Sequence, residues 1–308
     1  MSYREDERKK AIKIREALFR DPGAGIFYKK ERDFVLKDPT LNLWAGIRDD
    51  AINYFARNNI TWWMGDEKSE PTGHLLSSQV ACLNHLYFVR QRKDVASAIL
   101  KGVFGKIEEA VTVVDDGYVE FEAIGKDNHL GEKSHTRGAN STSVDAIMVG
   151  KKNDGSNILT LIEWKYTEEY REENKYIPER YNTYDKLLKD NNCPIVTNDY
   201  ESLYYEPFYQ LMRQTLLGWK MIQAGEYQCD EYIHVHVIPE NNTELRDRVT
   251  SPGLIGSNMS GAWRPVLKEP ERYIVISPEN FIKPASICPD THSIITYLEK
   301  RYWNKSYR

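Results

Sequence analysis

With 308 residues, 41% of them hydrophobic and 29% charged, the chain has the make-up of a globular protein with a substantial core, held in one large domain or two modest ones. A formal net charge of -4 excludes reliance on a global basic field for any nucleic-acid partner, though a local basic groove stays open to it. The N-terminus is charged throughout, and no run approaches the roughly 20 apolar residues of a membrane span, so a cytoplasmic protein is expected.

Cys82, Cys193, Cys229 and Cys288 lie far apart with no CxxC pair, which argues against a zinc module and for reduced, partly buried thiols. Seven Trp and 20 Tyr make the chain aromatic-rich, and tyrosine suits wet interfaces.

Residues 3 to 19 read as a charged amphipathic helix with Ile12, Ile14, Leu18 and Phe19 as sparse apolar contacts, stopped by Asp21-Pro22-Gly23. Residues 41 to 64 look helical in their first half and aromatic at the end. There Trp62-Trp63 are either core residues or stacking surfaces for bases, with core the stronger reading. From Gly73 a second helix brings Leu76, Val80, Leu83 and Tyr87 to one face, beside a neutral polar stripe of Ser78, Gln79, Cys82 and His85. A further helix covers about 94 to 104.

Residues 111 to 124 read as two strands folded into a hairpin about Asp115-Asp116-Gly117, with Tyr118, Glu120 and Glu122 sharing one face. A long polar loop, 125 to 142, follows. Two apolar runs come next, SVDAIMVG with the single acid Asp145 and ILTLIEWKY with Glu163 and Lys165, joined by the turn GKKNDGSN. Residues 167 to 204 show no clear periodicity and read as a lid, a partner surface or a partly disordered insertion. A helix from Glu206-Pro207 carries Phe208, Leu211, Met212, Leu216, Trp219 and Ile222 on its apolar face, with Gln210, Arg213 and Gln214 as an adjoining polar stripe. Strands at EYIHVHVIP and RYIVISP and a helix over about 293 to 303 complete the order. This succession argues for one α/β domain over 1 to 308, divided into an N-terminal helical region (1–72), a core (73–240) and a C-terminal strand and helix extension (241–308).

The chemistry concentrates in the two apolar runs. Side chains alternate along a strand, so Glu163 and Lys165 share one face and Ile162 and Trp164 the other. Charges at the end of a strand this apolar ask for a reason, because an unpaired buried charge is costly. If the runs pair across their turn, Asp145, Glu163 and Lys165 meet at one sheet edge. Two carboxylates and an ammonium there fit a divalent-metal site for phosphodiester hydrolysis. Asp145, Glu163 and the Trp164 backbone carbonyl would supply oxygens to Mg²⁺ or Mn²⁺, and Lys165 would orient water or stabilise developing charge. Without a cation, the crowded carboxylates should repel and raise a pKa.

Asp145 in SVDAI and Glu163-Trp164-Lys165 in IEWKY, with the order helix, strand, strand, strand, helix, strand around them, resemble the PD-(D/E)XK nuclease superfamily over residues 75 to 240. The resemblance implies an α/β fold with a restriction-endonuclease-like core, a mixed central sheet flanked by helices, here with an added N-terminal helical region. It implies a metal-dependent endonuclease acting on nucleic acid, with DNA favoured, in a restriction, defence or repair setting, and it leaves a homodimer open. Gln210 or Gln214 would match the glutamine that some members carry on the helix after the ExK strand. Many members place a glutamate on the first core helix, but here that helix offers Gln79, Asn84 and His85, and Glu122, with Glu120 second, is the substitute ligand. Gln79, Gln210, Arg213, Gln214 and Arg137 are the expected substrate contacts. His234 and His236 on one strand face read better as packed residues than as ligands. The rival reading is a nuclease-fold protein that binds nucleic acid or regulates without cutting it.

Overall fold

A run of Ile, Leu and Thr over residues 158–162 makes the body of the strand at the centre of the sheet, and the remaining elements are arranged about it. The computed structural model describes residues 2–21, 24–64, 70–138 and 141–303. In chain order these form α1 (Tyr3–Ile14), β1 (Gly25–Phe27), β2 (Lys30–Arg32), α2 (Arg48–Arg57), α3 (Ser78–Leu86), α4 (Lys93–Phe104), β3 (Ile107–Val111) and β4 (Glu120–Ala123). Then come β5 (Val144–Lys152), β6 (Asn157–Trp164), α5 (Pro178–Leu188), α6 (Phe208–Gln223), β7 (Cys229–Val237), α7 (Thr243–Arg246), α8 (Met259–Trp263), β8 (Tyr273–Ile276), α9 (Pro278–Ile282) and α10 (His292–Arg301).

Six strands form one mixed sheet in the order β3-β5-β6-β7-β8, with β4 also on β5. β5 and β6 pair antiparallel across the predicted turn, whereas β7 and β8 add parallel to β6. Parallel strands need helices on both faces, and the core divides accordingly. Ile158, Ile162 and Trp164 of β6 pack with residues of α1, α2, α3, α4 and α10, while Leu159 and Leu161 pack with α5, α6 and α8. This is a restriction-endonuclease-like α/β arrangement of a mixed sheet flanked by helices, with the N-terminal helix added. No helix among the described residues is long and apolar enough to cross a membrane.

Three expectations change. The predicted hairpin at 111 to 124 does not form as a pair of mutually bonded strands. β3 pairs with the far half of β5 and β4 with its near half, end to end along one edge, and only an isolated bridge links Val114 to Gly117. Arg90 explains the turn between them, because its buried guanidinium donates to Val114 O at 3.1 Å and Val119 O at 2.7 Å. The insertion at 167 to 204 contains α5, which docks Tyr184 and Leu188 into the second core beside Tyr204 and Tyr209. The first helix changes at Arg15 into one π-helical turn, Arg15–Phe19, which closes on Arg20 in the left-handed region (φ 54°). Pro22 and Gly23 of its predicted stop, and residues 139 and 140 of the predicted polar loop, lie outside the described residues.

Leu161 has no solvent contact and packs at the centre of the α6 layer. Leu161→Ala should lower unfolding free energy by roughly 2–5 kcal/mol in urea titration, through lost burial and the cavity left behind. A loss below 1 kcal/mol, on the order expected at a surface site, would contradict this layer assignment.

Candidate active site

β6 ends at Trp164, with Lys165 one residue on, and its alternation carries Glu163 and Lys165 to the α6 side of the sheet. Ala146 of β5 lies opposite Ile162, so the next pair along is Asp145 and Glu163. Instead of another ladder bond, the Trp164 N–H donates to Asp145 Oδ2 at 2.6 Å. On the other edge of β5, Phe121 lies opposite Ala146 and Ala123 opposite Val144, which sets Glu122 beside Asp145. Three neighbouring strands thus each deliver one carboxylate to the same end of the sheet.

Glu122 sits there through an unusual backbone. Its φ of 48° is a left-handed conformation that residues other than glycine rarely adopt. The reversal breaks the strand's alternation, so that Phe121 packs in the first core and Ala123 in the second. It also separates two acids expected on one face. Glu120 accepts from Tyr227 Oη at 2.7 Å and pairs with Arg137 at 3.1 Å, whereas Glu122 accepts from Gln79 Nε2 at 2.7 Å and Ser143 Oγ at 3.0 Å.

Glu163 is held by helix α6 and by its strand neighbour. Lys165 Nζ donates to its Oε1 at 2.6 Å and Gln210 Nε2 to the same oxygen at 2.8 Å, while Gln214 Nε2 reaches Oε2. Lys165 donates onward to Gln210 Oε1 at 2.7 Å, and Gln214 also donates to the Ser143 carbonyl at 2.9 Å. The one-turn spacing of Gln210 and Gln214 lets a single helix face grip both carboxylate oxygens. Gln214 Oε1 is buried with no hydrogen-bond partner among the described residues.

Charge is crowded here. Burial, reinforced by the charges of Glu163 and Glu122, pushes the Asp145 carboxyl well above the usual carboxylate range. Burial also raises Glu122, against the bonds from Gln79 and Ser143 that favour its charged form. Burial alone would lower Lys165, but the charge of Glu163, joined by Tyr170, Glu168 and Asp145, holds it well above its ordinary value.

The cluster opens to solvent through a groove of about 490 Å³, lined by Glu122, Asp145, Glu163 and Lys165 and bordered by Gln79, Gln210 and Arg213. Its acidic donors are all carboxylate oxygens, the type that hard divalent cations take. Among the described residues no group of three His, Cys, Asp or Glu side chains is placed to hold a metal ion together, so a cation here would take at most two of these carboxylates directly and complete its shell with water and substrate, as Mg²⁺ commonly does.

Arg213 reaches the groove with Nη1 3.1 Å from Thr142 Oγ1 and its guanidinium over the Tyr209 ring at 4.5 Å. Arg137 is not among the groove-lining residues. Its guanidinium bonds the Phe121 and Glu122 carbonyls, Tyr54 Oη and Asn58 Oδ1, and so clamps β4 from behind. His234 and His236 are buried on β7, with His236 Nδ1 2.9 Å from Tyr273 Oη, and burial lowers both. Cys82, Cys193 and Cys229 are buried free thiols and Cys288 is partly buried.

Ser143 and Thr142 were not singled out in the sequence, yet they contact Glu122, Gln214 and Arg213. Their position just ahead of Asp145, in a polar loop entering an apolar strand, is the signal that could have found them.

The family model described as Restriction Endonuclease associating with ARP (REase-ARP) matches residues 10–303. Comparison with curated proteins gave no match, and neither did comparison with solved structures.

The raised Asp145 carboxyl carries a stability consequence. Its folded pKa lies above the unfolded value, so its contribution is complete below about pH 4 and is lost as pH rises through the folded value. In metal-free buffer near neutral pH, Asp145→Asn should therefore raise Tm, and the gain should shrink as the pH is lowered toward about 4. A Tm that falls at neutral pH, or a gain that does not change with pH, would show that Asp145 carries no such burden.

Proposed function

The chain belongs to the family of restriction endonucleases associating with ARP, and from that premise we propose that it is a divalent-metal-dependent endonuclease of the PD-(D/E)XK type that hydrolyses DNA phosphodiester bonds. The observation that carries this reading is the meeting of Asp145, Glu163 and Lys165 on adjoining strands at one groove. Association with an ARP partner, named in the family description, belongs to the same reading.

In this reading Asp145, Glu163 and the Trp164 carbonyl would hold Mg²⁺ or Mn²⁺, and Glu122, beside Asp145, would act on the ion as a neighbouring carboxylate. When bound, the cation neutralises charge on the phosphoryl oxygens and makes water at the site more acidic. The donor set fits it: burial, with the charge of neighbouring carboxylates added, raises Asp145 and Glu122, and a dication would favour their charged forms. Lys165, kept charged by Glu163, orients the attacking water or stabilises charge building on the phosphate. Gln210 and Gln214 fix the Glu163 carboxylate, and Gln214 Oε1, which has no hydrogen-bond partner among the described residues, could accept from a water. Arg213 is placed at the groove to meet a flanking phosphate.

Incubation of the purified chain with DNA and Mg²⁺ or Mn²⁺ should give cleavage that EDTA abolishes. Asp145→Ala and Lys165→Ala should each slow it by on the order of 10²-fold or more, with circular dichroism unchanged. Full activity in either variant would sink the assignment, and metal-independent DNA binding without cleavage would favour a binding or regulatory protein. Glu122→Gln should raise the Mg²⁺ concentration needed for half-maximal rate by roughly 10–100-fold. Glu120→Gln should leave that requirement in place, because its carboxylate bonds Tyr227 and Arg137 instead.

A further inference from the structure

Beside the groove the chain builds a ribbon whose turn residues are poorly suited to turning. β1 and β2 are joined by Tyr28-Lys29, and both hold positive φ, 50° and 61°. Two-residue turns of this kind normally take Asn and Gly, because larger side chains strain the left-handed backbone. Retaining a tyrosine and a lysine at such a tip points to a use for the side chains themselves.

Those side chains belong to an exposed apolar patch. Tyr28 is 72% exposed and Trp63 46%. The Phe27 ring links them, at 4.5 Å from Tyr28 and 6.5 Å from Trp63. Trp62, next in sequence, behaves differently: it is buried and stacks on Phe55 at 3.9 Å. Folding uses Trp62, then, and leaves the Trp63 indole at the surface.

The patch is fixed to the catalytic cluster. Trp63 lines the groove, and its backbone N–H donates to Gln79 Oε1 at 2.9 Å, the same side chain that donates to Glu122. The ribbon is laced to the approach to α3 through Gly25 N to Val35 O at 2.8 Å and Leu36 N to Gly73 O at 2.9 Å. Gly25 permits that approach, since a Cβ there would sit 2.2 Å from the Leu36 carbonyl oxygen.

Cations flank it on the ribbon. Lys29, Lys30 and Arg32 are exposed on the ribbon and Arg4 is exposed at the groove, in a chain whose overall charge is -4. Of the neighbouring acids, Glu31 is exposed, Asp33 lies 3.8 Å from Arg15, and Glu168 and Glu169 line the same groove as Trp63 and Arg4. Lysine is depleted where proteins pack against proteins, whereas aromatic faces among cations are the composition of single-strand platforms.

We propose that Tyr28 and Trp63 stack on unpaired nucleobases of the strand entering the groove, with Lys29, Lys30, Arg32 and Arg4 on its phosphates. The protein would thereby engage single-stranded or locally opened DNA in preference to closed duplex. A base inside a duplex already has both faces covered, so these rings gain contact only with one outside the stack. The inference rests on the endonuclease reading of the adjoining groove.

Fluorescence anisotropy on the full chain tests it, with Ca²⁺ replacing Mg²⁺ and a labelled strand of about 16 nucleotides, single or annealed to its complement. Single strand should bind more tightly than duplex. Tyr28→Ala and Trp63→Ala should each weaken single-strand binding by roughly tenfold while leaving duplex binding unchanged, and Trp63→Phe should retain most of the affinity. Quenching of a 2-aminopurine in the strand should be lost in Trp63→Ala alone of the two Trp63 variants. Alanine variants that bind single strand as the parent does, or that weaken both forms equally, as loss of a protein-docking patch or of general charge would, overturn the platform. Cleavage by the parent chain and its loss in Asp145→Ala, measured in parallel with Mg²⁺, report on the endonuclease reading separately.

Discussion

Mutual repulsion among Glu122, Asp145 and Glu163 at one end of the sheet is the constraint on which the rest of the site depends. Three acids crowded at the partly buried end of a groove favour a proton, a cation or disorder. The chain counters them with one ammonium, three glutamine amides, a serine hydroxyl and the Trp164 N–H. The resulting cluster is satisfied in large part by hydrogen bonding yet still electrostatically loaded, as the raised Asp145 carboxyl shows. A local burden of this sort at a groove is a common mark of a functional site.

The fold carries that load by sandwiching it. β6 is buried on both faces, so its terminal charged residues have fixed positions rather than a choice of solvent-facing rotamers. Helix α6 lies over one face and supplies Gln210, Arg213 and Gln214, and α3, anchored from the other layer, supplies Gln79. Behind β4, the Arg137 guanidinium bonds the carbonyls of Phe121 and Glu122 and stabilises the left-handed backbone that aims Glu122 at the site. Backbone strain at Glu122 and charge crowding at Asp145 sit side by side, each compensated by neighbours on separate elements.

The N-terminal residues also shape the groove. Arg4 and Trp63 line the same opening as the carboxylates, and the β1–β2 ribbon is tied by backbone bonds to the segment leading into α3. The region before β3 therefore contributes to the lining of the candidate active site, with the aromatic Trp63 and the cationic Arg4 in the same groove as the carboxylates.

Periodicity in the sequence was enough to determine several of these features. Alternation placed Glu163 and Lys165 on one face of β6, an eight-residue turn predicted its antiparallel pairing with the Asp145 strand, and helical spacing set Gln210, Arg213 and Gln214 on one stripe of α6. All of these follow from local geometry, because a side chain's direction along a regular element repeats every two or 3.6 residues. Tertiary structure alone decided which strand borders which, so β3 and β4 line up along β5 instead of pairing together. It also decided that a left-handed residue would part Glu122 from Glu120, that Arg137 would turn into β4, and that of two adjacent tryptophans one would be core and the other surface. Each of those outcomes is set by contacts between residues distant in the chain, which a local repeat cannot encode.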